Sequence, residues 1–251
     1  MAEKPAADGA ALTFDDAEAF LANAAFEDCR PLWHSSNYVF LGQLSGEDGR
    51  AGTAIYKPRR GESPLWDFPS GTLFRREAAA YRLSRLLGWD FIPPTVVRDG
   101  PEGIGSVQAF IRHDPNSHFF TQRDDSALVP QLKRMAVFDF VANNADRKGG
   151  HCLLDEDGRI WGIDHGLCFH EEYKMRTVMW DWAEETVPEE WLATVEDVGL
   201  RIAASTEDTA TFLELISKAE RTAILSRIDR LLRRRSFPSP GPHRSYPWPL
   251  V

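Results

Sequence analysis

Two aspartates, Asp146 and Asp164, separated by what reads as one tight hairpin, constrain this chain more than any other feature. Gly149 and Gly150 can turn the backbone, Cys152-Leu153-Leu154 reads as a first strand, and Asp155-Glu156-Asp157-Gly158 as the turn. Residues 159–163 then return as the second strand, which brings both aspartates to the same open end. A paired-carboxylate edge suits holding a divalent metal against a polyphosphate while one carboxylate orients an attacking hydroxyl. Taken singly, either aspartate would be explained as a turn or capping residue.

A chain of 251 residues with 43% hydrophobic and 11% aromatic content can fill one large domain or two lobes around a cleft. Its 29 basic and 38 acidic residues leave a formal charge of −9, which excludes a general nucleic-acid binder and broad adhesion to anionic membranes. Three cysteines, Cys29, Cys152 and Cys168, have no disulfide-scaffold spacing and fit a reducing compartment. The opening residues carry no signal-type apolar core, and no apolar run approaches membrane-spanning length. The expected location is the cytoplasm, with no integral membrane contact.

Along the chain, residues 1–12 read as a mobile tail, and Thr13 as the N-cap of a helix that buries Phe14, Ala17, Phe20 and Leu21. Residues 26–57 read as a three-strand meander, followed by a long loop over 59–69 that is too rich in proline for a regular element. Residues 73–87 show helical spacing and carry Glu77, and two more strands are expected at 95–98 and 106–111. A polar segment, 112–125, leads into a strong helix over 129–143. Past the hairpin, helices are expected over 180–192, 195–204, 209–218 and 220–235, and the Pro- and aromatic-rich residues 236–251 read as an extended surface tail.

This order of elements and polar residues resembles the protein-kinase-like fold, most closely the atypical branch that holds phosphatidylinositol 3/4-kinase-related and HipA-type kinases. The resemblance spans residues 26–180 and points to an uncharacterised actinobacterial group related to phosphatidylinositol kinases. Lys57, at the end of the third strand, matches the lysine that grips nucleotide phosphates, and Glu77 matches its ion-pair partner. Asp146-Arg147 matches the Asp-Arg of the lipid-kinase catalytic loop, and Asp164 in Ile163-Asp164-His165-Gly166 matches the metal-binding Asp. His34-Ser35-Ser36-Asn37 stands where this branch places a loop over the phosphates. Alone, Lys57 would be a solvated strand-end lysine and Glu77 one charge on a wet helix face; their order relative to the two aspartates carries the resemblance.

The resemblance implies an α+β fold of two lobes. The N-lobe, 13–111, would hold an antiparallel sheet plus one helix, and the C-lobe, 112–235, would be mainly helical with a catalytic β-hairpin. It implies an ATP-dependent phosphotransferase, with the backbone from Phe110 to Arg112 as hinge and Ser35, Ser36 and Asn37 among the nucleotide contacts. Lys57, fixed by Glu77, would hold the α- and β-phosphates, Asp146 would orient the acceptor hydroxyl, and Lys148 would neutralise the transferring group. Mg²⁺ or Mn²⁺ would sit on Asp164 and His151.

His151 departs from the family, which has asparagine at that position, so a nucleotide-binding regulator that acts through a protein partner on the C-terminal tail is the competing reading. A metal-ligating imidazole must be neutral, which with an ordinary pKa near ~6.5 would place an acid limb there. Zinc on His151, Cys152, His165, Cys168 and His170 is a minor alternative, because their spacing fits no common module. Lys174 and Arg176 fall where a substrate loop would meet an anionic acceptor. Lipid, polyol, protein and small metabolite all remain open as the acceptor.

Overall fold

A computed structural model of the chain describes residues 13–32, 38–241 and 244–251. Helix α1 (Phe14–Asn23) opens with a capping box in which the Thr13 hydroxyl accepts the Asp16 N–H at 3.1 Å. Strands β1 (Ala25–Leu32), β2 (Val39–Ser45) and β3 (Ala51–Pro58) form an antiparallel meander. Helix α2 (Leu73–Leu86) follows the long loop, and β4 (Thr95–Gly100) and β5 (Gly103–Ala109) complete an antiparallel sheet in the order β1-β2-β3-β5-β4.

Alternation along β3 decides what faces the cleft. Ala54 and Tyr56 are buried with Leu21, Leu44, Val96 and Val107, so Ile55 and Lys57 point to the opposite face. Gly105 on β5 pairs with Pro58; a Cβ there would lie 2.4 Å from the Lys57 carbonyl oxygen, so only glycine lets the two strands close at the end that carries Lys57.

The second half is helical. Helix α3 (Phe119–Gln122) is a short turn inside the expected polar segment, and α4 (Val129–Ala142) runs through the main core. The hairpin β6 (Cys152–Leu154) and β7 (Ile160–Gly162) pairs Leu153 with Trp161. Helices α5 (Glu189–Ala204), α6 (Ala210–Leu215) and α7 (Lys218–Arg234) close the domain, with Gly199 allowing Ile228 against α5.

Three helical boundaries differ from expectation. The break expected between helices over 180–192 and 195–204 is absent, because α5 runs unbroken from Glu189 to Ala204. Residues 180–188 are turns and extended chain, because Pro188 restricts the residue before it and α5 starts only at Glu189. The expected helix over 209–218 stops at Leu215, because Ile216 is extended and Ser217 caps α7 with a capping box to Glu220.

Helix α2 is tied to the helical half by its arginines. Arg76 donates to the Cys168 carbonyl at 2.5 Å and pairs with Glu220, while Arg75 donates to the Glu214 carbonyl. At the other end, the Leu86 carbonyl accepts from Arg201 at 2.8 Å. The tail leaves α7 through Ser236, bridged to Thr186, and buries Phe237.

Candidate active site

Lys57 is the centre of the first cluster. Its ammonium bonds the Glu77 carboxylate and lies 3.0 Å from Asp164 Oδ1. The second Glu77 oxygen accepts the His165 backbone N–H at 2.9 Å, so one buried carboxylate joins β3 to the loop after Asp164. Burial opposes the Lys57 charge, but the carboxylates of Asp164 and Glu77 outweigh it and push its pKa up. Lys57, acting against burial, holds Asp164 well below the usual carboxylate range; burial raises Glu77, and Lys57 opposes that rise. Asp164 also adopts a left-handed backbone, φ +60°, which a non-glycine residue keeps only when its surroundings hold it there.

Asp146 is positioned from α4. The helix ends at Asn143 in a left-handed conformation, φ 55°, with its side-chain amide on the His170 and Glu172 carbonyls. Asn144 then accepts the Asp146 N–H at 3.0 Å and donates to Asp139 at 3.0 Å. The Asp146 carboxylate lies 3.0 Å from the Lys148 ammonium; burial raises its pKa, with Lys148 acting in the opposite direction.

Behind these groups lies a second ionic cluster that has no exposure. Arg147 makes a two-pronged contact with Asp139, at 2.8 and 3.0 Å, and donates to the carbonyls of His151 and Ile163 at 3.2 and 3.0 Å. Nη2, which also donates to Asp139, lies 2.6 Å from His165 Nε2, so that ring nitrogen is the acceptor and the ring proton sits on Nδ1. Burial, reinforced by Arg147, keeps His165 neutral, with a pKa well below the ordinary value. The motif Asp146-Arg147 was legible in the sequence, whereas the partnership of Arg147 with Asp139 was not. The available signal was an aspartate between Phe138 and Phe140 on the apolar face of α4.

His151 faces the first cluster. Its Nε2 lies 3.3 Å from Asp164 Oδ2, and its Nδ1 faces the Lys148 N–H at 3.4 Å, an arrangement that suits a neutral ring donating to Asp164. Burial lowers its pKa to about 4, so an acid limb near 6.5 does not apply to this ring.

These residues share one cavity of ≈ 630 Å³ between the sheet and the helical half. Val39, Ile55, Leu153 and Ile163 give it apolar walls, and Lys57, Glu77, Asp146, Lys148, His151 and Asp164 its polar end. Phe110, Ile111 and His113 line it, whereas Arg112 is exposed and does not. Ser35, Ser36 and Asn37 lie outside the described residues.

The zinc-type set is dispersed over separate contacts: Cys152 Sγ on Met135 Sδ at 3.8 Å, His165 on Arg147, and His170 Nε2 on the Asp67 carbonyl at 2.7 Å. Among the described residues, no group of three or more His, Cys, Asp or Glu side chains is arranged to hold a metal. Lys174 is held by Asp67 at 3.2 Å and Glu172 at 3.3 Å.

Sheet, helix and cleft together form the protein-kinase-like fold, and part of the chain is similar to the phosphatidylinositol 3- and 4-kinases. The phosphatidylinositol 3- and 4-kinase family model matches residues 95–215, which include both aspartates but start after Lys57 and Glu77. The first half is instead covered by likeness in fold. The crystal structure of the Golgi casein kinase with Mn/ADP bound superposes with a TM-score of 0.58 at 13% identity, covering 88% of this chain and 75% of that one. The Helicobacter pylori proinflammatory kinase CtkA gives 0.50 at 12% identity over 86% and 94%.

The chain belongs to the family of Protein Rv2133c from Mycobacterium tuberculosis, with 38% identity over 96% of its own length and 98% of that protein. It is also 31% identical to phosphatidylinositol 4-kinase gamma 4 of Oryza sativa subsp. japonica over 42% of this chain, a match that covers 22% of the plant protein.

Proposed function

We propose that this chain is an ATP-dependent phosphotransferase that moves the γ-phosphate of ATP to a hydroxyl. The observation that carries this reading is the shared placement of Lys57 between Glu77 and Asp164 at the polar end of a cavity whose other walls are apolar. That combination suits a nucleotide, with the base against Val39, Ile55 and Leu153 and the phosphates against Lys57. Two lobes, 13–111 and 112–235, would enclose it. The acceptor oxygen bonds to the γ-phosphorus as the bond to ADP breaks, and Asp146 orients that hydroxyl and takes up its proton. Lys148 offsets negative charge on the group in transfer.

A magnesium or manganese ion would take Asp164 as an ionised oxygen ligand; His151 would join it as a neutral nitrogen only by giving up its contact with Asp164, while phosphate and water oxygens complete such sites. The ion would neutralise the polyphosphate. Three free cysteines favour a reducing compartment, and we place the protein in the cytoplasm; no helix among the described residues is long and apolar enough to cross a membrane.

A second reading, a nucleotide-binding regulator without turnover, is favoured by His151 facing Asp164 directly. Calorimetry on the pure protein and on Asp164→Ala, together with an autophosphorylation and hydrolysis assay, separates the two. A phosphotransferase binds ATP in a metal-dependent manner, loses that dependence in the variant and turns ATP over at least slowly. Unchanged metal-dependent affinity in Asp164→Ala would falsify the placement of the site.

A further inference from the structure

The C-terminal segment lies against the loop that follows Lys148 and against residues 177–180. The Ser245 carbonyl accepts both the Thr177 N–H at 3.1 Å and the Trp180 indole N–H at 3.0 Å. The Leu250 carbonyl accepts the Gly149 N–H at 2.7 Å. Thr177 is bridged to Arg147, and Gly149 follows Lys148, so the segment spans from the strand beside the catalytic loop to the loop itself. A Cβ on Gly149 would lie 3.4 Å from the Leu250 carbonyl oxygen and 3.1 Å from the Phe120 ring, tighter than ordinary packing on the ring side. Glycine therefore admits both neighbours.

We propose that this face, formed by 148–150 and 176–180, is a groove for an extended polypeptide, that residues 245–250 occupy it in cis, and that the acceptor is a polypeptide hydroxyl. The inference rests on the phosphotransferase reading. The same segments carry the cations Lys148 and Arg176, but the three bonds to the strap come from neutral amide and indole N–H groups, and all three take main-chain carbonyls. A polypeptide of any sequence carries such carbonyls at regular spacing, which a free polyol or a lipid headgroup does not.

The occupant matches this logic. Tyr246 and Trp248 are 48% and 76% exposed, so the hold comes from the main chain and from Pro247, which is buried. The residue beside Gly149 is Leu250, which has no hydroxyl, so the strap offers no acceptor at the position next to the catalytic loop. Transfer to an authentic acceptor forms the bond from its hydroxyl oxygen to the γ-phosphorus, breaks the bond to ADP and delivers the hydroxyl proton to Asp146.

The test uses the full chain with Pro247→Asp, with Leu250→Glu as a second variant should the first fail to fold. Three readouts are taken: hydrogen exchange at the Gly149 and Thr177 amides, binding of a dye-labelled peptide of residues 244–251, and transfer from labelled ATP. The transfer acceptors are that peptide carrying Leu250→Ser, phosphatidylinositol vesicles and free inositol. Release of the strap is expected to speed exchange at both amides at least tenfold. It should tighten peptide binding at least tenfold over the parent, and direct label to the serine peptide. Unchanged exchange with no gain in peptide binding overturns the groove, and label on vesicles or inositol alone overturns the polypeptide acceptor. Peptide binding by a variant that turns over no ATP supports the groove and overturns the phosphotransferase reading.

Discussion

Two ionic clusters lie back to back in this molecule and are built to opposite specifications. Lys57, Glu77 and Asp164 meet at a cavity wall, where the Asp164 side chain is 48% exposed and a ligand can exchange its partners. Arg147, Asp139 and His165 are sealed from water, and every Arg147 nitrogen is bound to a fixed acceptor. The first cluster is arranged for binding and the second for holding the loops that present it. Arg147 grips the carbonyls of His151 and Ile163 and contacts His165, so it fixes the residues on either side of Asp164.

The largest effect is therefore expected away from the cavity. Arg147→Met leaves Asp139 as an unpaired buried charge and should cost about 3–5 kcal/mol of stability, read from urea unfolding. Asp139→Leu combined with Arg147→Met should recover most of that loss. Lys57→Met also strips buried Glu77 of its cation, but burial already favours a proton on Glu77 and Asp164 faces the cavity, so the cost should stay below that of Arg147→Met. Equal losses at Arg147 and Lys57 would remove the distinction between the clusters.

At the cavity the ranking reverses. Lys57→Met and Glu77→Gln should each lower transfer by about 100-fold, close to 3 kcal/mol, and the double variant should be little worse than the worse single. Additive losses in that cycle would show that the pair does not act as a unit.

Acid should also tell the clusters apart. His151, with a pKa of about 4 against an ordinary ~6.5, binds fewer protons folded than unfolded between those values. Stability therefore falls as the pH drops from about 6.5 toward 4, by roughly 2–3 kcal/mol from this ring, and buried His165 adds loss in the same direction. His151→Asn should flatten part of the dependence, measured as urea midpoints across pH. The same variant puts an oxygen donor in place of nitrogen and should move the manganese-to-magnesium activity ratio several-fold toward magnesium, the smallest effect in the series. An unmoved ratio would remove His151 from the metal site.

The sequence made the sheet-then-helix order legible because its signals are local: the cap at Thr13, alternation in β3, helical spacing around Glu77 and turn residues at the hairpin. It also made legible the order of Lys57, Glu77, Asp146 and Asp164, which the structure brings to one cavity. What stayed hidden depends on distant chain. Arg147 reads as half of a motif until Asp139 is seen beneath it, and the tail reads as loose because its hold is through carbonyls that every residue has. The break over 180–188 was missed because Trp180, Val187 and Trp191 fall on one face at helical spacing, although Trp180 and Val187 are buried from non-helical chain.

The arginines that fasten α2 determine which part of the molecule can pivot. Arg76 on Cys168 and Glu220, Arg75 on Glu214 and Leu86 under Arg201 tie α2 to the second half, while Arg82 on Glu18 and Arg85 on Asp15 tie it to α1 in the first. A motion that widens or narrows the cavity must then stretch one of these two sets of contacts. The flexible stem of Lys57 spans the same divide, so its reach to Glu77 and Asp164 measures how far the cavity has closed.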